Sequence, residues 1–152
     1  MNKCIYSDSG TEIIFESEPH IGIRYVLPST LQEEKKSIKK YPFINKTNLR
    51  IILKDIKKNK VYNFEIPKGY CFDGASVPRF FWRIIGSNTD NKFLLAALVH
   101  DVLCENHRYV DNDREFSTRV FNLLLKESDV KPLKRFFMKN SVNIFQAICC
   151  KW

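Results

Sequence analysis

Leu49-Arg50-Ile51-Ile52-Leu53-Lys54-Asp55, Ile56-Lys57-Lys58-Asn59 and Lys60-Val61-Tyr62-Asn63-Phe64-Glu65-Ile66 decide the fold class. Two runs rich in branched and aromatic residues flank four polar or turn-compatible positions, the pattern of a β-hairpin. In the second run Val61, Asn63 and Glu65 alternate with Tyr62, Phe64 and Ile66, the period of two that marks a half-buried strand. Pro67-Lys68-Gly69 then turns the chain into a further short strand over Tyr70 to Asp73. Upstream, Thr11 to Phe15 and Ile21 to Leu27 read as strands. Leu31 to Lys40 is charged, lacks a clear apolar face, and reads as a loop or a short exposed helix.

The period changes in the second half. Asn91 to Glu105 carries Phe93, Leu94, Ala97, Leu98, Asp101 and Val102 at three-four spacing, a helix apolar on most sides and therefore central. Asp111 to Glu127 is amphipathic, with Phe116, Val120, Leu123 and Leu124 inward and Asp111 or Asn112 capping its start. Pro132 to Cys150 is a last helix carrying Phe136, Phe137, Val142, Phe145 and Ile148. Strands first and helices afterwards predict an α+β fold. A small antiparallel sheet from the N-terminal half packs on three to four helices from the C-terminal half. At 152 residues, without an internal repeat or a dividing linker, residues 1–152 read as a single domain.

Composition narrows the function classes. Apolar residues make up 44% of the chain, with 12 Phe and 2 Trp, enough for a packed core. No run of roughly 18 apolar residues predicts a membrane span. Residues 1–10 lack the charged-then-apolar pattern of a secretory leader, so the expectation is the cytoplasm of the cell that makes the protein. Five cysteines without a Cys-x-x-Cys pair predict free thiols. The net charge of +8 gathers at Lys35 to Lys40, at Lys54 to Lys60 and at Lys131 to Lys139. Nucleic acid is a candidate partner on that charge alone, against the alternative of solvated lysine faces.

One region is dense in chemistry. Asp73-Gly74-Ala75-Ser76-Val77-Pro78-Arg79 combines a carboxylate, a turn glycine, a hydroxyl and a helix start at Pro78, with Arg79 as a candidate anion ligand. Its bland reading is a turn feeding a capped helix. His100 and Asp101 lie inside an otherwise apolar helix, where ionisable groups need a partner or a ligand. Either they tie the helix to the Asp73 loop, or Asp73, Ser76, His100 and Asp101 form a catalytic site. Asp73, His100, Asp101 and Asp111 would suit a divalent metal through oxygen and imidazole. Cys104, one turn after His100, offers a weaker His-x-x-x-Cys pair without a third local ligand.

These words resemble those of a family of short phage and prophage proteins catalogued as a domain of unknown function. The pattern is a glycine, Asp-x-Ala-Ser-Val-Pro, an aromatic segment, an Ala-x-x-His-Asp helix and then an aspartate-bearing helix. It is met here from Pro67 to Phe121 by Gly69, Asp73 to Pro78, Trp82, Ala97 to Asp101, and Asp111 or Asp113. Cys104 departs from it, standing where the family has an aromatic residue. Cys149-Cys150 likewise replaces an expected glycine. The resemblance implies a phage or prophage origin and a pocket shared by Asp73, Ser76, His100 and Asp101. The expected role is a small accessory or binding protein engaging a phage or host protein in virion assembly, lysis or defence evasion. A metal-assisted hydrolase is the alternative.

Overall fold

The computed structural model describes residues 3–72, 94–111 and 113–149, less the side chains of Phe145 and Cys149. Its strands are β1 (Cys4–Ser7), β2 (Thr11–Phe15), β3 (Ile21–Ile23), β4 (Phe43–Asn45), β5 (Leu49–Asp55), β6 (Lys60–Ile66) and β7 (Cys71–Phe72). Its α-helices are α1 (Gln32–Lys40), α2 (Leu94–Glu105), α3 (Arg114–Glu127) and α4 (Pro132–Cys149), with a 3-10 turn at His107–Val110. The α+β expectation holds: antiparallel strands of the first half pack on the helices of the second. The single sheet does not. Strands β1-β2-β5-β6 form one antiparallel sheet and β3-β4-β7 a second, smaller one. Strands β1 and β4, four and three residues long, are too short to declare a period of their own.

The hairpin forms where its pattern placed it, pairing Leu49 with Ile66 and Asp55 with Lys60. Asn59 closes it in the left-handed conformation at φ 51°, a region that asparagine tolerates. Along β5, Leu49, Ile51, Leu53 and Asp55 are buried, so the inward face of an apolar strand ends on a carboxylate. Helix α3 meets that end. It packs against α2, α4, β1 and β2, and its Arg119 Nη2 donates to Asp55 Oδ2 at 3.0 Å. Arg119 Nη1 also donates to the carbonyl of Gly10 at 3.0 Å, so one guanidinium joins helix, strand end and turn.

The start of α3 corrects the expected cap. Asp113, not Asp111 or Asn112, is the N-cap, accepting from the Phe116 amide at 3.0 Å. Asp111 instead ends the 3-10 turn in the left-handed conformation, φ 56°. Both aspartates face the hairpin: Lys58 bonds Asp113, while Lys60 and Tyr62 bond Asp111. Burial, then the hydrogen bond to Asp111, pushes the Tyr62 hydroxyl up to about 12. Asp111 is held below the ordinary carboxylate range by hydrogen bonding and charge from Lys60. Burial alone would raise Asp113, but the bonds from Lys58 and the Phe116 amide outweigh it and hold it low as well.

Not all of the apolar residues that helix α4 carries are buried. Met138, Ser141, Val142 and Gln146 face the core, whereas Phe136 and Ile148 are 61% and 71% exposed. Core contacts select one stripe of a helix that is apolar on two sides. Leu31 to Lys40 resolves to an exposed helix with no buried residue. Buried apolar side chains from both halves form one cluster, from Ile13 and Phe15 to Leu123 and Val142. Among the described residues, no helix is long and apolar enough to cross a membrane.

Two outcomes test this arrangement. Arg119→Ala should lower stability by about 3–5 kcal/mol in chemical denaturation, because it strands the buried Asp55 charge. Lowered carboxylate pKa values stabilise the fold above their ordinary value of 3.8, and that contribution fades as pH falls through the lowered values. Asp113→Asn keeps a competent cap but removes the titration. Its denaturation midpoint should therefore fall less than that of the native chain between pH 6 and pH 3, by about a few tenths of a unit of denaturant molarity.

Candidate functional site

His100 lies on the inner face of α2 and its side chain is 0% exposed. An imidazole there must be satisfied by protein groups, since water does not reach it. Gln146 of α4 supplies the bond: its amide nitrogen faces His100 Nε2 within hydrogen-bond distance. With the amide in this orientation Nε2 accepts, and the ring proton belongs on Nδ1. Phe121 of α3 stands edge-on to the ring, centroids 5.3 Å apart. Cys104 Sγ, one turn along α2, is 3.8 Å from Nδ1 and 3.9 Å from Nε2, the same-face neighbour that the spacing predicted.

Gln146 is the hub of this cluster and was missed in the sequence. Besides His100 it reaches Ser117 Oγ at 3.2 Å and Cys104 Sγ at 3.8 Å, and its Oε1 is 3.4 Å from Thr118 Oγ1. One amide has two N–H groups, so His100 and Ser117 take them and the sulfur contact is the weakest of the three. The residues come from α2, α3 and α4, and all of them except Cys104 are buried. The available signal was small: a lone glutamine four residues after Val142, on the stripe that turned out to face the core.

The other candidates are placed as follows. Asp101 Oδ1 lies 4.0 Å from His100 Nδ1, and its side chain is 17% exposed. Asp111 is at the surface with Lys60 and Tyr62. Among the described residues no group of three or more His, Cys, Asp or Glu could hold a metal ion. Asp73, Ser76 and Arg79, with the expected Pro78 helix start, lie outside the described residues. Cys4, Cys71 and Cys104 are free thiols, as expected for them.

Within these helices the arrangement can hold a histidine in one tautomer and lock three helices in register. Gln146→Ala should cost about 1–3 kcal/mol in a denaturant melt, since it removes the amide bonded to the buried imidazole and opens space. Gln146→Leu should cost less, because the space stays filled.

A segment of 48 residues is 40% identical to an uncharacterized protein, y4jT, of Sinorhizobium fredii. The match takes in 32% of this chain and 14% of that relative, so the shared piece is a small part of a longer protein. No solved structure matches the chain. A family described as "Protein of unknown function (DUF1353)" matches residues 51–142, from β5 into α4. This span encloses the Asp73 to Arg79 segment, His100 and Asp101 and stops just short of Gln146. Since it takes in more than half of the sequence, the chain belongs to the DUF1353 family.

Proposed function

We propose that the chain is a small accessory or binding protein of phage or prophage origin, in which His100 serves the fold rather than a reaction. The supporting observation is the burial of His100, whose ring is engaged by Gln146 and Phe121 and has no exposed surface. A general acid or base must reach the proton it moves, directly or through one water. The phage assignment rests on the resemblance of the Asp73 to Pro78 and Ala97 to Asp101 words, and the partner class is a phage or host protein.

The hydrolase alternative keeps one favourable observation, the partly exposed Asp101 carboxylate beside His100. In that reading Asp73, Ser76 and Arg79 complete a metal and anion site with His100 and Asp101.

Single variants His100→Ala and Asp101→Asn separate the two. The fold-serving role predicts that His100→Ala loses about 1–3 kcal/mol by thermal melt. Fitness of the parent phage should then fall only as far as the protein unfolds. Metal content of chain purified without chelator is measured alongside. A full melt with stoichiometric metal lost and fitness abolished would instead establish the hydrolase.

A further inference from the structure

The hairpin turn, the first turns of α3 and the middle of α4 surround an open cavity of about 590 Å³. Lys57, Arg114, Arg119, Lys139 and Asn143 line it, with Glu115 as the carboxylate of the lining. Two of the basic clusters seen in the sequence, one on the hairpin and one on the last helix, thus meet across a single concavity.

The charges there are not balanced. Arg119 is paired with Asp55, and the adjacent hairpin lysines Lys58 and Lys60 are paired with Asp113 and Asp111. Lys57, Arg114 and Lys139 make no ion pair among the described residues. Counting both Glu115 and Asp55 against the four lining cations leaves a surplus of two positive charges. Like charges crowded around a concave surface focus a positive potential and oppose folding until an anion neutralises them.

The crowding is built in by backbone. A Cβ at Gly10 would sit 3.0 Å from Lys57 Cε and 3.2 Å from Arg119 Nη1, so glycine lets the lysine stem lie beside the guanidinium. Arg114 and Arg119 are half-buried and form a fixed floor, whereas Lys57 and Lys139 are exposed at the rim. Guanidinium groups below and mobile ammonium groups above suit phosphoryl oxygens.

We infer that this cavity binds a small polyphosphate anion, a diphosphate or triphosphate group, between the Arg114 and Arg119 floor and the Lys57 and Lys139 rim. The volume exceeds what one phosphate fills and lies within the usual range of small-ligand sites, about 300–1,000 Å³. Among the described residues no aromatic side chain lines it, so they supply no stacking platform of the kind by which single-stranded nucleic acid is held. The inference does not depend on the role of His100, which lies in a different cluster.

Inorganic pyrophosphate is the probe, titrated into the full chain by calorimetry at low ionic strength, beside orthophosphate and a short single-stranded oligonucleotide. One saturable pyrophosphate site is expected, tighter than for orthophosphate and weakened by added salt. Lys57→Gln and Lys139→Gln should each weaken it about tenfold with unchanged thermal melts, since a charge-assisted bond is lost at an exposed position. Glu115→Gln should tighten it. Arg119 is left intact because it supports the fold. Absence of saturable pyrophosphate binding in natively melting chain overturns the inference, as does binding indifferent to both lysine variants. Oligonucleotide binding that depends on Lys57 and Lys139 without pyrophosphate binding overturns it in favour of nucleic acid.

Discussion

Asp55 ends the inward face of β5, where three preceding inward positions are apolar, and its carboxylate is cut off from water. A charge in that position needs a cation with good geometry, or the sheet end cannot close over it. Arg119 supplies it from α3, and in doing so fixes the rotation and depth of the helix on which the other helices rest. Once α3 is seated, Phe116 meets the Tyr62 ring, with centroids 5.4 Å apart, and Asp113 comes within reach of Lys58. The hairpin is thereby pinned at both faces of its turn. The ordering matters: a buried pair and a set of surface pairs act on the same junction, and only the buried pair is strongly coupled to folding.

The second polar layer, around His100, has a different character. Its His100 and Asp101 stand 4.0 Å apart, and it holds several hydrogen-bonding groups between three helices. Such a layer specifies one register of helix on helix, since sliding α4 by a turn would leave Gln146 and His100 without each other. Among the described residues, Gln146 engages the Nε2 of this histidine and joins it to α4.

These two layers leave the outer surface near α3 and α4 with a concentration of cations. Arg119 is drawn inward to satisfy Asp55, which places its guanidinium beside Lys57 at the Gly10 turn. The basic cavity is therefore a by-product of the interaction that seats α3, with Arg114 and Lys139 added by the helical repeat. A lysine-rich sequence alone predicts a diffuse positive field. A concave group of cations with a surplus of positive charge requires several elements to meet.

How much of this was legible follows from the range of each interaction. The hairpin and the positions of α2, α3 and α4 came from local periodicity, because strand and helix faces repeat within a few residues. Leu31 to Lys40, without a clear apolar face, is open in sequence between loop and helix. The oddity of His100 in an apolar helix was legible for the same reason, and so was its proximity to Cys104. The cap of α3, the division of the strands into two sheets and the buried stripe of α4 were not. Each depends on partners far along the chain: Lys58 and Lys60 for the aspartates, β7 for β4, and the α2 and α3 surfaces for Met138 and Gln146. By itself the sequence determined the elements, the core composition and which polar residues needed partners. Only the tertiary structure decided which partners they found, since a buried charge or amide selects its mate by three-dimensional reach rather than by spacing in sequence. Asp55 with Arg119 and His100 with Gln146 are both pairings of that kind.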